Sequence, residues 1–164
     1  MRKETLVYLN SWYFYNNGYI GFGWMTPAEA RDFVEEHAND TRYEELFVAD
    51  IDNYLGVDFG TLEYCNVDDI LDTIEKLEEM DDFEKDTVIA IMENENCNVD
   101  EAIEHMDKYI VYSDLEEYHD SCDELIDMEL EKLGNLACYF DYDSYHRDCD
   151  FDVYEASNGV VLMG

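Results

Sequence analysis

The 164-residue sequence predicts an α+β chain in three parts, and three observations predict it. β-rich apolar runs crowd the first sixty residues, helical periodicity replaces them from Thr61 to Asp107, and mixed signals return from Lys108 to Gly164. The expected parts are a small three-stranded sheet with one helix (1–60), a central acidic helical bundle (61–107) and a C-terminal α/β part (108–164) ending in a β-hairpin. A chain of this length buries only a modest core, so the parts need short, rigid connections. No internal repeat or low-complexity linker is expected between them.

In the first part, "TLVYLN" and "YIGFGWM" read as two strands, with the Asn-Gly of "YNNGY" as a turn in a hairpin lengthened by "SWYFY". In "TPAEARDFVEEH", Thr26 can cap a helix, Pro27 suits its first position and Glu29 completes a capping box. "EELFVADID" supplies a third strand and "YLGVDFG" a glycine-punctuated exit.

In the second part, Asn66 caps "VDDILDTIEKLEEM", whose Val67, Ile70, Leu71, Ile74 and Leu77 form one apolar face. "DDFEKDTVIAIMENEN" predicts a second helix, and "NVDEAIEHM" a third, capped by Asn98 with Glu101 three residues on. In the third part "KYIVYS" reads as a strand, followed by a long helix from Asp114 toward Leu133 that Gly134 stops. "LACYFDYDSYH" predicts a short helix. "DCDFDVYE" alternates strictly and, with "SNG" and "VVLM", predicts the closing hairpin.

Charge is the outlier of the composition. Against 43 Asp and Glu stand 9 Lys and Arg, a net charge of −34. Solubility alone calls for a magnitude of roughly 2 to 8 in a small domain. Chains this acidic are commonly disordered, but those lack aromatics, and this one has 14 Tyr, 8 Phe and 2 Trp. A folded protein is predicted whose field repels nucleic acid and anionic lipid and attracts basic proteins or cations. The parts carry −7, −15 and −12, so the middle and the C-terminal part dominate.

The start, "MRKETLVYLNSW", has no apolar run of signal-peptide length, and no run approaches the roughly 18 apolar residues of a membrane span. Five widely spaced cysteines, Cys65, Cys97, Cys122, Cys138 and Cys149, without a CxxC pair, suit free thiols in a reducing compartment. A cytoplasmic protein is expected.

The carboxylates admit several uses. A calcium loop needs a glycine at its sixth position and a carboxylate at its twelfth, but counting from Asp148 puts Val153 and Gly159 there. On the expected strand Asp148, Asp150 and Asp152 would instead form a solvated acidic row above Cys149, Phe151 and Val153. His119 with Cys122 and His146 with Cys149 each resemble half a zinc site, yet buried cysteine on a helix face is the commoner finding. Acid–base catalysis needs two carboxylates isolated in one cleft, and among 43 acids sequence proximity identifies no such pair. No GxSxG, HExxH or Walker loop occurs. Neither an enzyme nor a cofactor or metal is expected.

A pattern is more informative. Asp68, Asp72, Glu75, Glu79 and Asp82 follow spacings of 4, 3, 4 and 3, one stripe opposite the apolar face. Like charges so spaced repel, and a sequence selected only for solubility would alternate Glu with Lys. At about 1.5 Å per residue the stripe spans roughly 21 Å, a carboxylate about every 5 Å. Duplex DNA carries a phosphate about every 3.4 Å along each strand, a comparable scale.

The segment "YFDYDSYHRDC" resembles the C-terminal motif of the ArdA family of antirestriction proteins, with Tyr139, Asp141, Tyr142, Tyr145, Arg147 and Asp148 at its positions. "VYLNSWYFYNNGYIGFGW" resembles the family's opening through Val7, Tyr8, Tyr15, Asn16, Gly18 and Trp24, and "YIVYSDLEEYHD" the segment before its long helix. Departures are Cys149 for the usual leucine, His146 for a small residue, a glycine displaced to Gly23 and a shorter connection after Gly134. The resemblance implies an elongated, curved DNA mimic that dimerises through its C-terminal part. It implies occupation of the DNA groove of type I restriction-modification enzymes, on their methyltransferase core, without catalysis. The candidate mimic surface is Asp68, Asp69, Asp72, Glu75, Glu79, Asp82, Glu93, Glu95, Asp100, Glu104, Asp114, Glu116, Glu117, Asp120 and Asp123. The tyrosine motif is assigned to structure and dimer contacts, with Arg147 paired to nearby carboxylates. The reading from another class is a divalent-cation-binding or basic-protein-binding module, with a hydrolase third.

Overall fold

The computed structural model describes residues 4–52 and 54–164, so the basic pair Arg2 and Lys3 lies outside the described residues. Its described residues form seven α-helices and two small three-stranded antiparallel sheets. The chain divides into two compact units, Met1–Met80 and Asp81–Gly164.

In the first unit β1 (Leu6–Ser11) is the central strand, between β2 (Trp24–Met25) and β3 (Leu46–Asp52). Val7 and Leu9 of β1 and Val48 of β3 are fully buried, and the register shifts at a bulge between Tyr8 and Leu9. The expected hairpin is only half right: β1 and β2 do pair antiparallel, through Val7↔Met25 and Tyr8↔Trp24, but a helix lies between them. This helix, α1 (Trp12–Asn16), starts because Ser11 Oγ accepts the Phe14 amide, and it ends where Asn17 and Gly18 return their amides to Phe14 and Tyr15. The Asn-Gly pair therefore closes a helix instead of turning a hairpin. Phe14 is drawn inward onto Phe22, which packs in turn on Phe33 at 4.9 Å between ring centres, and that aromatic cluster outweighs the strand propensity of "WYFY".

The helix α2 (Pro27–His37) carries the expected capping box, Thr26 with Glu29. The helix α3 (Val67–Glu79) is capped by Asn66, whose Oδ1 accepts the Asp68 amide at 2.8 Å. Ile70, Leu71, Ile74 and Leu77 are buried as the periodicity predicts, each contributing about 1.5 to 3 kcal/mol. This face packs on α2 and β3.

The second unit begins with α4 (Asp82–Glu95) and α5 (Val99–His105). Asn96 joins them in the left-handed region at φ 51°, and α5 opens on the predicted Asn98–Glu101 box. The strand β4 (Ile110–Tyr112) follows, then α6 (Leu115–Leu130), capped by Asp114. Beyond Leu130 the α-helix tightens into 3₁₀ turns, and the chain kinks at Gly134 (φ 57°). The helix α7 (Tyr142–Cys149) precedes β5 (Tyr154–Glu155) and β6 (Val161–Met163), which form a sheet in the order β4-β6-β5.

The closing hairpin forms, but the strand expected from Asp148 does not. Residues up to Cys149 belong to α7 and Asp150–Asp152 form a 3₁₀ turn, so Asp148, Asp150 and Asp152 are not a row on a strand. The physical reason is competition between two periods in one segment. Asp141 caps the helix by accepting the Ser144 amide, and Tyr142, Tyr145, His146 and Cys149 recur at helical spacing.

An internal repeat, unexpected from the sequence reading, also emerges between α6 and α7. Tyr118–Asp123 reads YHDSCD and Tyr145–Asp150 reads YHRDCD. The two hexads face each other with reciprocal bonds. Tyr118 Oη donates to Cys149 O at 2.9 Å and Tyr145 Oη to Cys122 O at 3.3 Å. His119 Nε2 meets Asp150 at 2.6 Å and His146 Nε2 meets Asp123 at 2.7 Å, while the two imidazoles stack at 4.2 Å, 6° from parallel. Cys122, buried, and Cys149 complete the core of this clasp with Val161.

Candidate functional site

The acidic face of α3 follows from its buried one: once six residues of the helix turn inward, Asp68, Asp69, Asp72 and Glu79 stand exposed. Asp68 and Asp69 in the first turn also suit the positive end of the helix dipole. The stripe differs from the expected one at both its end and its middle. Met80 leaves the helix in an extended conformation, so Asp82 falls in α4, where it pairs with Lys85 at 2.7 Å. In the middle, Arg31 of α2 reaches across: its Nε donates to both Glu75 oxygens at 3.0 and 3.1 Å, and its Nη2 to Glu75 and to Asp72. Asp68 lies 4.0 Å from Nη1. Two carboxylates of the stripe are thereby held by one guanidinium.

The candidates of the second unit divide into acids that hold the fold and acids that face solvent. Glu93 accepts the amide and hydroxyl of Ser157 and the phenol of Tyr154, and these bonds, Ser157's first, lower its pKa. Glu95 accepts the Tyr109 phenol at 2.7 Å and touches His105, and both lower its pKa. Asp114 caps α6 through the Glu117 amide, while Glu117 accepts the amide and hydroxyl of Ser113, which hold its pKa down. Asp123 belongs to the clasp. By contrast Glu104, Glu116 and Asp120, like Asp69 and Glu79 of the first unit, are exposed with no side-chain bond among the described residues, and Asp100 is exposed too. The two groups look alike in sequence. What separates them is a donor within reach: a neighbouring amide or hydroxyl for Asp114 and Glu117, and for Glu93, Glu95 and Asp123 a hydroxyl, phenol or imidazole brought close by folding.

The tyrosine motif does structural work in several places. Asp141 caps α7, and its bonds from Ser144 lower its pKa. Tyr142 Oη donates to Asp127 on α6 at 2.5 Å, and Tyr145 closes the clasp. Arg147 reaches a carboxylate through a hydroxyl: its Nη2 donates to Ser144 Oγ at 2.7 Å, Ser144 Oγ donates to Asp141, and, after the Ser144 bonds, the charge of Arg147 helps to lower the Asp141 pKa. Asp148 is exposed. Tyr139 packs on little, with 83% of its surface accessible, and Phe151 is 87% accessible. Leu125, Met128, Leu133 and Leu136 are likewise exposed apolar side chains of this unit.

Among the described residues no three His, Cys, Asp or Glu side chains gather as a metal ion would require, although the two HxxC pairs meet in the clasp. The clasp is what sequence reasoning missed. Each HxxC pair alone carries little, and the signal the sequence holds is that both belong to the same pattern, YHxxCD.

The comparison with protein families decides the identification. The family described as Antirestriction protein (ArdA) matches residues 7–162.

The chain belongs to the ArdA family.

The match spans both the opening segment and the tyrosine motif on which the resemblance rested. No curated protein matches the chain. Membership makes the protein an antirestriction protein and restriction enzymes its partners. No helix among the described residues is long and apolar enough to cross a membrane.

Proposed function

We propose that this ArdA-family protein inhibits type I restriction-modification enzymes by presenting carboxylates where DNA would present phosphates. The partner surface is the DNA-binding groove of the methyltransferase core, and the inhibition is stoichiometric, without catalysis or cofactor. The observation that carries the reading is the exposed acidic face of α3, Asp68, Asp69, Asp72 and Glu79, in a chain of net charge −34. A groove lined with Lys and Arg for about one phosphate per 1.7 Å of duplex gains the same long-range attraction from such a face. The protein works in the cytoplasm, where the enzyme works. It acts as a homodimer joined through the C-terminal part, whose exposed Leu125, Met128, Leu136 and Tyr139 are the apolar surface a partner copy would cover.

The test is competition. Purified protein is titrated against a fluorescent duplex bound to a type I methyltransferase complex at low and moderate salt. Stoichiometric displacement that weakens with salt is the expected result. A folded sample that displaces no duplex at any salt would remove the proposal.

A further inference from the structure

By charge alone Arg31 is a defect of a DNA mimic, because it sits on the acidic stripe and cancels part of it. The geometry points to the opposite role: we propose that Arg31 is a positioning residue, holding Asp72 and Glu75 in the arrangement the enzyme's groove reads. This inference rests on the DNA-mimic reading above.

An exposed Asp or Glu on a helix samples several rotamers, whereas phosphates of a duplex are fixed by the backbone. A mimic built of free side chains must freeze them on binding, which weakens affinity. Arg31 freezes two of them in advance. Its planar fork engages Glu75 through Nε and Nη2, and the same Nη2 reaches Asp72 through Oδ1, while Asp72 Oδ2 has no hydrogen bond among the described residues. Asp72 keeps 51% of its side-chain surface and Glu75 38%, so both remain reachable. The Arg31 side chain is itself only 31% exposed, and it is anchored on α2, the helix that packs against α3. The sequence position fits the task. Arg31 follows the fully buried Ala30, which sets the rotation of α2 and so aims residue 31 at α3.

The two accounts predict opposite signs. If charge alone matters, Arg31→Gln removes one positive charge and tightens inhibition. If Arg31 positions, the same change loosens it, by about fivefold or more. Arg31→Lys separates charge from geometry, since it keeps the charge but loses the fork. It is expected to weaken inhibition with an unchanged salt slope.

The experiment measures displacement of duplex from the methyltransferase complex by wild type, Arg31→Gln and Arg31→Lys over a salt series. Circular dichroism and thermal melting confirm that each sample is folded. A purely structural role would lower the melting temperature while leaving the affinity of folded protein unchanged, and that result overturns the proposal. Equal or tighter inhibition by both variants overturns it too, while leaving mimicry intact. Absence of displacement by wild type removes the mimicry reading itself, and the positioning role with it. If Arg31→Gln fails to fold, Arg31→Lys decides alone. Weaker inhibition by the folded lysine variant supports positioning, and unchanged inhibition overturns it.

Discussion

At the scale of single residues, Gly21 shows how a backbone constraint hides in a sequence. Its φ of 138° and its closeness to β1 leave no room for a side chain: a Cβ would stand 2.4 Å from Tyr8 Cε1 and 2.8 Å from Leu9 O. Gly21→Ala is expected to cost about 2 kcal/mol, seen as a lower urea midpoint with unchanged m-value. Titrating residues give a second expectation. Glu93, Glu95, Glu117 and Asp141 have folded-state pKa values below their ordinary ones, held there by hydroxyl, phenol, imidazole and amide donors. A depressed carboxylate contributes stability above its unfolded value and loses it as pH falls. Melting temperature should therefore drop as pH falls below the ordinary value of 4.5 for the glutamates. In alkali the sign reverses. Burial, with Cys149 behind it, pushes the Tyr145 phenol from 10 up to about 12, and burial raises Tyr118 too, so stability should drain as pH rises through that range. Far-UV circular dichroism across both limbs checks both signs.

Among elements, the predictions concern caps and the clasp. Asn66→Ala removes the acceptor at the start of α3 and is expected to destabilise the protein by about 1 kcal/mol. Tyr118→Phe and Tyr145→Phe each delete one of two equivalent bonds between α6 and α7, at about 1 kcal/mol each. Because both bonds serve one contact, the double variant should be non-additive in a denaturation cycle. Strict additivity would mean that the hexads act independently. The elements also show how far local signals carry. Every cap predicted from Thr26, Asn66 and Asn98 forms, because a cap is a bond between residues two or three apart. The strand predicted at Asp148 fails because that segment satisfies both a period of two and a period of 3.6, and only packing against α6 separates them.

For the whole molecule, the question is how 43 acids are divided between stability and recognition. Replacing Asp68, Asp72, Glu75 and Glu79 together by their amides is expected to weaken displacement of duplex and reduce its salt dependence, while the Glu93→Gln change should chiefly lower stability. A melt and a competition titration of each distinguish the two classes. The proposed dimer has its own measurement: Leu136→Glu, which puts a charge on an exposed apolar surface, should shift sedimentation toward monomer without unfolding the chain. Unchanged sedimentation would exclude that surface.

Sequence alone determined the mixed α+β character, the apolar face of α3, the capped helix starts, the extreme charge and the family, because each depends on composition, neighbouring residues or a matched motif. Only tertiary structure decided which carboxylates are engaged beyond their own turn of chain. Whether Glu93 is a surface charge or a fold-holding acceptor depends on Ser157, sixty-four residues away, and whether the α3 stripe is bare depends on Arg31, reached across a helix pair. Helix spacing says where a carboxylate points. It does not say what long-range folding brings to meet it.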